Sequence, residues 1–243
     1  MEAVVNIDNL SFCYPDGQQA LTNVSLTIYR GETVALIGPN GAGKSTLLLH
    51  LNDILSSGNG VVNVLGRPVD GNNRRWVRGK LGLVFQNPDD QLFSPTVFDD
   101  VAFGPLNMGY SEAEVRRHVT EALDWVGMAG YEQRSSHHLS LGEKKRVAIA
   151  TVLSMDPEIL VIDEPTSSLD PGSKWSLIDL LRRLPATKIV ASHDLELVQA
   201  LCQRAIVFDQ GQVVADGATD HILADVSLLA AHGLAPSRVT KVT

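Results

Sequence analysis

The sequence has 243 residues and a net charge of -8, from 20 Lys and Arg against 28 Asp and Glu. That balance argues against nucleic acid or an anionic lipid surface as a partner. No apolar run approaches the roughly 20 residues needed to span a bilayer, so work at a membrane would require another protein to hold this one there. Cys13 and Cys202 lie far apart without metal-ligand spacing, which favours reduced thiols in the cytosol.

The first ninety residues are predicted to be mainly strands. Residues 24–29 alternate apolar and polar side chains, as a half-buried strand does. Residues 33–37 are more continuously apolar and end at Gly38, which predicts a buried strand that leads into a turn. Leucines within 44–51 favour a helix, and residues 81–85 are a further strand candidate.

From residue 95 to about 155 the pattern becomes helical. Ser111 and Glu114 form a capping-box signature, and apolar residues follow them at helical spacing. Beyond this point strands and helices alternate again. The predicted elements are a strand at 159–162, a helix at 173–184, a strand at 188–191, a helix at 194–202 and a hairpin of 205–209 with 212–215. Alternation on both sides of a helical insert predicts an α/β core with an all-α subdomain.

A glycine-rich segment between a predicted strand and a predicted helix matches the phosphate-binding P-loop pattern. Its residues are Gly38, Pro39, Asn40, Gly41, Ala42, Gly43, Lys44, Ser45 and Thr46. The glycines allow backbone N–H groups to converge on an anion, and the N-terminus of the following helix adds positive potential. Lys44 supplies a charge for the β- and γ-phosphates of ATP, and Ser45 supplies a hydroxyl for Mg²⁺.

A second anchor is the apolar run 159–162, which is followed by Asp163 and Glu164. In P-loop enzymes an acidic residue at the end of such a strand holds Mg²⁺, and Asp163 is the candidate for that role. Glu164 is placed to orient or deprotonate the attacking water. The two anchors together predict ATP hydrolysis, with ATP and Mg²⁺ as the bound groups.

With both anchors present, residues 4–217 resemble the ABC ATPases. The resemblance includes the signature motif, although two positions differ from the usual glycine and glutamine. The motif residues are Ser140, Leu141, Gly142 and Glu143, of which Leu141 and Glu143 are the two departures. Ser140 and Glu143 also fit a capping box on a helix over 144–154, and both roles are compatible because a capped helix N-terminus can bind a γ-phosphate.

The resemblance implies an α/β fold in which a P-loop NTPase (RecA-like) core carries an N-terminal antiparallel β subdomain and an inserted all-α helical subdomain. We assign 1–87 and 156–217 to the core with its β subdomain, 88–155 to the helical subdomain and 218–243 to a short C-terminal tail. The resemblance also implies a homodimer with ATP at the interface, because the signature helix of one subunit contacts the ATP that is bound to the other. A heterodimer with a related chain stays an alternative.

Further residues match functional positions of the ABC ATPases. Gln86 matches the Q-loop glutamine, which approaches Mg²⁺ and the attacking water. His193 matches the switch histidine that contacts the γ-phosphate, and Tyr14 matches the aromatic residue that stacks on adenine, although it could simply be packing. The D-loop that links the two active sites is Ser168, Leu169 and Asp170. Asp170 also fits a helix cap.

The segment that follows Gln86 resembles the ATPases of energy-coupling-factor (ECF) importers, and the closest likeness is to those of cobalt and nickel importers. The resemblance implies a translocase subunit peripheral to the cytoplasmic side of the cell membrane. Its membrane partners would be a transmembrane coupling subunit and a substrate-capturing subunit. No His, Cys or Asp cluster in this chain has ligand spacing, so a membrane component would bind the transported metal.

Acidic residues along this segment predict a groove for basic coupling helices of the transmembrane partner. The partner-coupling candidates are Asp89, Asp90, Gln91, Asp99 and Asp100. The alternative is a solvated acidic loop with helix caps.

Other functions stay open. A vitamin-type ECF importer or a conventional binding-protein-dependent ABC importer would use a similar ATPase subunit. A soluble ABC ATPase of DNA repair or translation usually has a coiled-coil insertion or two fused ATPase domains, and neither fits here. A small-molecule kinase would transfer phosphate to an acceptor instead of water, and the signature motif and His193 argue against it.

Overall fold

The computed structural model describes residues 2–56 and 58–234. Within these ranges the strands are β1 (Ala3–Cys13), β2 (Gln19–Tyr29), β3 (Thr33–Ile37), β4 (Asn59–Val64), β5 (Arg67–Pro68), β6 (Leu81–Val84), β7 (Ile159–Asp163), β8 (Thr187–Ala191), β9 (Arg204–Asp209) and β10 (Gln212–Ala218). The α-helices are α1 (Lys44–Leu51), α2 (Arg74–Lys80), α3 (Val97–Met108), α4 (Glu112–Trp125), α5 (Leu141–Leu153), α6 (Pro171–Arg183), α7 (Leu195–Leu201), α8 (Thr219–Ala224) and α9 (Val226–Ala231).

The core is a six-stranded sheet with the strand order β10-β9-β3-β8-β7-β6. All neighbours pair in parallel except β9 and β10, which form the predicted antiparallel hairpin. Every residue of β3 and β8 is buried, as expected for central parallel strands that are covered on both faces. The carboxyl ends of β3, β8 and β7 therefore meet at one edge, where open α/β sheets bind their ligands.

The second sheet is the predicted N-terminal antiparallel subdomain, with the strand order β2-β1-β4-β5. Buried and exposed residues alternate along much of β1 and β2, so one face of this sheet packs and the other meets solvent. Its buried side chains, such as Leu21 and Ile28, join one apolar cluster with Leu47 of α1 and Phe208 of β9. The small sheet is thereby fixed beside the P-loop end of the core.

Helices α3, α4 and α5 form the predicted helical insert between β6 and β7, and each packs against the other two. Helix α4 begins with the predicted capping box of Ser111 and Glu114. Helix α5 begins at Leu141, three residues before the predicted start, because Ser140 caps it. Helix α5 also contacts β6 and α6, so it joins the insert to the core.

The region predicted as a short tail, 218–243, contains two helices in its described part. Ile222 in α8, Leu229 in α9 and Leu234 after it are buried in the main apolar cluster. Residues 219–234 are therefore packed on the core, and residues 235–243 lie outside the described residues. The assignment of 218–243 to a short C-terminal tail stays a prediction. Among the helices described, none is long and apolar enough to cross a bilayer.

Candidate nucleotide-binding site

The P-loop connects β3 to α1 and depends on glycine at three positions. Gly41 and Gly43 have φ angles of 81° and 102°, which glycine adopts without strain. Gly38 is needed for a different reason, since a Cβ atom there would collide with the carbonyl oxygen of Phe208. Gly43 is the N-cap of α1 and has no side chain to cap the first turn. The N–H groups of that turn and the positive helix end are thus left for an anion.

Lys44 is buried within this loop. Its Nζ donates to the carbonyl oxygen of Gly38 at 2.7 Å and to that of Pro39 at 3.1 Å. Burial lowers the pKa of the ammonium group, and the carboxylates of Glu164 and Asp163 act in the opposite direction. Phosphate oxygens would be stronger acceptors for this cation than the neutral carbonyl oxygens that it contacts here.

Asp163 and Ser45 lie together at the carboxyl edge of the sheet. Burial raises the pKa of the Asp163 carboxyl group, and a hydrogen bond with the Ser45 hydroxyl partly opposes that shift. The Oδ1 atom of Asp163 is buried and has no hydrogen-bond partner among the described residues. Such an atom costs about 1–3 kcal/mol of desolvation free energy, and a carboxylate oxygen is a ligand that Mg²⁺ prefers. These two side chains fit a Mg²⁺ site.

Glu164 forms a hydrogen-bonded pair with His193. The Nδ1 atom of His193 lies 2.9 Å from Oε1 of Glu164, and the Ser192 hydroxyl donates to Oε2 at 3.3 Å. Glu164 has a φ angle of 44°, a strained value for a residue other than glycine, and its N–H donates to the Ala191 carbonyl oxygen. The His193 side chain is 56% exposed, so its Nε2 atom remains accessible to a phosphate group.

Lys44, Ser45, Glu164 and His193 line a cavity of about 310 Å³. Its walls are residues 40–46 of the P-loop with Tyr14, Gln18, Ala20, Gln86, Glu164 and His193. The Tyr14 hydroxyl lies 3.1 Å from Oγ1 of Thr46, which anchors the tyrosine at the start of α1. The structure thus brings together the P-loop, Tyr14, Gln86, Glu164 and His193, which are distant in the sequence.

The signature residues lie at a different cavity, of about 320 Å³, which shares no lining residue with the first. Ser140 and Glu143 cap α5 reciprocally: the Ser140 N–H donates to Oε2 of Glu143 at 2.8 Å, and the Glu143 N–H donates to the Ser140 hydroxyl at 3.4 Å. The Ser140 N–H, the Ser140 hydroxyl and the Tyr131 hydroxyl lower the pKa of Glu143. Gly142 also lines this cavity, and Leu141 is partly exposed beside it.

The predicted D-loop contributes one residue to the same cavity. Leu169 lines it, and Asp170 caps α6 by accepting the N–H groups of Gly172 and Ser173, both at 3.0 Å. Ser168 has a φ angle of 61°, so the chain turns sharply between Glu164 and α6. The chain therefore has two separate cavities, one at the P-loop and one at the N-terminal ends of α5 and α6, and we call each of them a candidate half-site.

The partner-coupling candidates divide into buried and exposed residues. Asp100 is only 2% exposed, and its Oδ1 accepts the N–H groups of Phe93 and Ser94 at 3.0 and 2.8 Å. The expectation that Asp100 lines an open groove is therefore wrong, because its carboxylate holds the local chain. Gln91 is also directed inward, where it bonds to the Phe85 N–H and to the Ala148 carbonyl oxygen.

The remaining candidates are exposed. Asp89 pairs with Lys144 of α5 at 2.7 Å and keeps 58% of its side chain exposed, while Asp90 and Asp99 face solvent. Sequence reasoning missed the apolar residues beside them. Phe93, Phe103 and Leu106 are 61%, 52% and 58% exposed, and the two phenyl rings pack edge to face with centroids 5.2 Å apart. We call these three residues the apolar patch.

Sequence reasoning also missed Lys145, a buried lysine of α5. Its Nζ donates to the carbonyl oxygens of Gln86 and Glu164 and to the Ser167 hydroxyl. Burial lowers its pKa to about 8. Helical spacing could have identified it, because Lys145 lies on the same buried face of α5 as Ala148, Ile149 and Val152. A charged residue on such a face needs hydrogen-bond partners inside the protein.

A buried lysine in a glycine-rich loop, a strand-end carboxylate and a fixed glutamate are what phosphoryl transfer from ATP to water requires, so the class of protein is a P-loop ATPase. The family can be named as well: the family model for the ABC transporter matches residues 21–167. The chain belongs to the ABC transporter family and is its ATP-hydrolysing component.

Two relatives are similar over nearly the whole chain. The putative ABC transporter ATP-binding protein SCO3161 of Streptomyces coelicolor is 53% identical over 232 residues, which is 96% of this chain and 89% of the relative. The energy-coupling factor transporter ATP-binding protein EcfA of Methanothermobacter thermautotrophicus is 50% identical over 231 residues, which is 93% of this chain and 74% of the relative.

Two solved structures share the fold. CbiO1 from Clostridium perfringens, described as part of the ABC transporter complex cbiONQ, has a TM-score of 0.83 at 37% identity and covers 96% of each chain. The ATP-binding cassette MJ0796, solved as a dimer in a post-hydrolysis state with ADP and Pi, has a TM-score of 0.78 at 29% identity. It covers 88% of this chain and 98% of that one. The predicted α/β fold with its antiparallel and helical subdomains is confirmed.

Proposed function

We propose that this chain is the ATPase subunit of an ECF-type importer for cobalt or nickel ions and that it works as a homodimer with ATP at the interface. The observation that carries the proposal is the chain segment after Gln86, which exposes both the apolar patch and the acidic residues Asp89, Asp90 and Asp99. The similarity to EcfA and to CbiO1 supports the transporter class.

ATP binds at the P-loop, with the adenine against Tyr14 and the phosphates at the N-terminus of α1. Lys44 exchanges its carbonyl partners for phosphate oxygens and stabilises the charge of the transferring group. Glu164 accepts a proton from the attacking water, and His193 contacts the γ-phosphate. Ser45 and Asp163, together with Gln86, would hold Mg²⁺, which would supply further charge neutralisation at the β- and γ-phosphates.

The two separate candidate half-sites of the chain support the homodimer. Ser140 and Gly142 present the N-terminus of α5 at a polar cavity that the P-loop of the same chain does not reach. The γ-phosphate of ATP bound at the P-loop of a second copy can lie there, because a helix N-terminus favours an anion. The dimeric cassette MJ0796 supports this arrangement. Hydrolysis removes the bridging γ-phosphate and lets the two chains separate.

The transmembrane partner would bind at the apolar patch on the cytoplasmic side of the membrane. An exposed pair of phenylalanines with a neighbouring leucine costs free energy in water and marks a protein contact. The exposed acidic residues of the same segment favour a cationic partner, so the matching element is an amphipathic helix with basic residues. The transported ion would be bound by a separate membrane subunit. Within 2–56 and 58–234, no cluster of three His, Cys, Asp or Glu residues forms a candidate metal site.

The test is affinity purification of the tagged chain from its native membranes in mild detergent, with mass spectrometry of the co-purified proteins and metal analysis of the complex. We expect a small transmembrane coupling protein and a separate substrate-capturing membrane protein, with cobalt or nickel on the latter. Vitamin on the second protein would reject the metal assignment. A conventional permease pair or only soluble partners would reject the ECF class.

Two double variants test where the membrane partner binds. Asp89→Lys with Asp90→Lys should release the membrane partner while ATP binding is retained, because it reverses the charge beside the apolar patch. The matched control is Glu121→Lys with Asp124→Lys, which makes the same charge change on the exposed face of α4. Retained assembly in the first double variant would contradict the proposed surface.

A further inference from the structure

We propose that Lys145 is a positioning residue for ATP hydrolysis, which holds the main chain at Gln86 and at Glu164 against helix α5. The proposal rests on the ATPase activity of the family and not on the class of transporter.

The contacts of Lys145 join three segments that are far apart in sequence. Its Nζ lies 3.2 Å from the carbonyl oxygen of Gln86, 3.1 Å from that of Glu164 and 3.2 Å from the Ser167 hydroxyl. Ser167 in turn donates to the same Glu164 carbonyl oxygen at 3.0 Å. One ammonium group thus uses two donors on the main chain of the residues that carry the candidate catalytic side chains and its third donor on the Ser167 hydroxyl.

Burial shows why these contacts are specific. Lys145 is 5% exposed, and a charged group so enclosed is retained at a cost in desolvation free energy that its hydrogen bonds must offset. An apolar side chain of similar length would fill the same space at the interface of α5 and the core without that cost. The carboxylates of Glu164 and Asp163 lie near enough to favour the charged form. The contacts with the main chain at Gln86 and Glu164 therefore explain why a charged residue stands at this buried position.

The strain at Glu164 gives this contact a catalytic consequence. The left-handed backbone at Glu164 persists only where surrounding contacts determine it, and Lys145 binds the carbonyl oxygen of that same residue. Without the ammonium group the turn can relax, and the carboxylate moves relative to the P-loop. Misplacement of about 1 Å in an active site can lower a rate by about a hundredfold.

The test is the variant Lys145→Met in the full chain, compared with Lys188→Met. Lys188 is also 5% exposed and also donates to two main-chain carbonyl oxygens, those of Leu184 and Ala186, but it lies at the opposite end of β8 from His193. Both variants remove a buried ammonium group from main-chain acceptors and should lower Tm. The two lysines differ in their position relative to the active site and in the additional contact of Lys145 with the Ser167 hydroxyl.

For Lys145→Met we expect kcat for ATP to fall at least about tenfold, while the Kd for ATP measured without Mg²⁺ changes less than about threefold. Lys188→Met should retain the wild-type kcat per folded molecule. Lys145→Gln, which keeps one donor group, should recover part of kcat. A kcat within twofold of wild type in Lys145→Met would overturn the proposal, as would an equal loss in Lys188→Met. If Lys145→Met does not fold, the same comparison is made with Lys145→Gln against Lys188→Gln.

Discussion

The two half-sites of this chain are built from different kinds of interaction. At the P-loop, charged side chains are buried: Lys44 is 6% exposed, Glu164 is 6% exposed, and burial shifts the pKa values of Lys44 and Asp163 toward their neutral forms. At the N-terminal ends of α5 and α6, the polar groups are serine hydroxyls, main-chain N–H groups, the partly exposed Glu143 and Arg146, whose guanidinium donates to the Val126 carbonyl oxygen and the Ser176 hydroxyl.

The difference indicates a division of work. Buried charges that are already in place can stabilise a transition state at little cost in reorganisation, so we expect the chemistry at the P-loop half. Helix ends and hydroxyls bind an anion more weakly and adjust more easily, so the signature half suits reversible closure on a second chain. Variants of the first half should therefore abolish turnover, and variants of the second should weaken it.

The largest effect is expected for Glu164→Gln. It removes the candidate general base, a contribution of about 10²–10⁴ in rate, while the amide keeps the size of the side chain. ATP should remain bound, and the dimer should accumulate in its closed form, as measured by phosphate release and by size-exclusion chromatography with ATP. Glu158→Gln is the control. Glu158 precedes the N-terminal end of β7, at the end opposite to Asp163, and it pairs with Arg30 and Lys80. Turnover within about tenfold of wild type would remove Glu164 from the mechanism.

The second largest effect is expected when a glycine is replaced by alanine in each half-site, because the two variants should lose unequal amounts of stability. Gly38→Ala places a Cβ atom against the Phe208 carbonyl oxygen, which is backbone and cannot move aside, so we expect a loss of more than about 2 kcal/mol. Gly142→Ala meets the Ser173 hydroxyl at 3.3 Å, which can rotate, and alanine favours a helix. Its change should be under about 1 kcal/mol in denaturant unfolding. Equal losses would contradict the contrast between a rigid and an adjustable half-site.

Ser140→Ala tests the second half-site more directly. Loss of the cap should cost about 1 kcal/mol of stability, and ATPase activity should fall about tenfold with little change in ATP affinity at the P-loop. If the site is shared between chains, mixing Ser140→Ala with Glu164→Gln should restore activity. A mixed dimer then contains one P-loop with Glu164 that faces an intact Ser140. Failure of the two variants to complement each other would place Ser140 outside the partner's site.

Much of the nucleotide site could be predicted from the sequence because its signals are local. The P-loop pattern fixes its own backbone through Gly41 and Gly43, and a strand-end Asp163 must reach the same sheet edge. Gln86 and His193 required the family resemblance, since one glutamine or histidine has no pattern of its own. Their position at one cavity is visible only in the structure.

What the sequence could not predict depends on contacts between distant segments. Asp100 reads as a surface acid at the start of a helix, yet its carboxylate is enclosed by the turn at 93–94. Lys145 reads as one residue of a basic run, while its partners lie 59 and 19 positions away in sequence. The packing of α8 and α9 depends on apolar neighbours in the core, and short helices have little intrinsic stability to reveal them.

The smallest effect is expected for Glu143→Gln, which should change how the free energy of unfolding depends on pH. The Ser140 N–H, with the hydroxyls of Ser140 and Tyr131, holds the pKa of Glu143 below its ordinary value of 4.5. A lowered carboxyl pKa contributes stability above 4.5, and this contribution is lost as the pH falls through the folded-state pKa. Glutamine can form the same cap but does not titrate. Urea unfolding should therefore give a change within about 0.5 kcal/mol at neutral pH and a shallower loss of stability below pH 4.5. A loss as steep as that of wild type would mean that the capped carboxylate does not stabilise the folded chain.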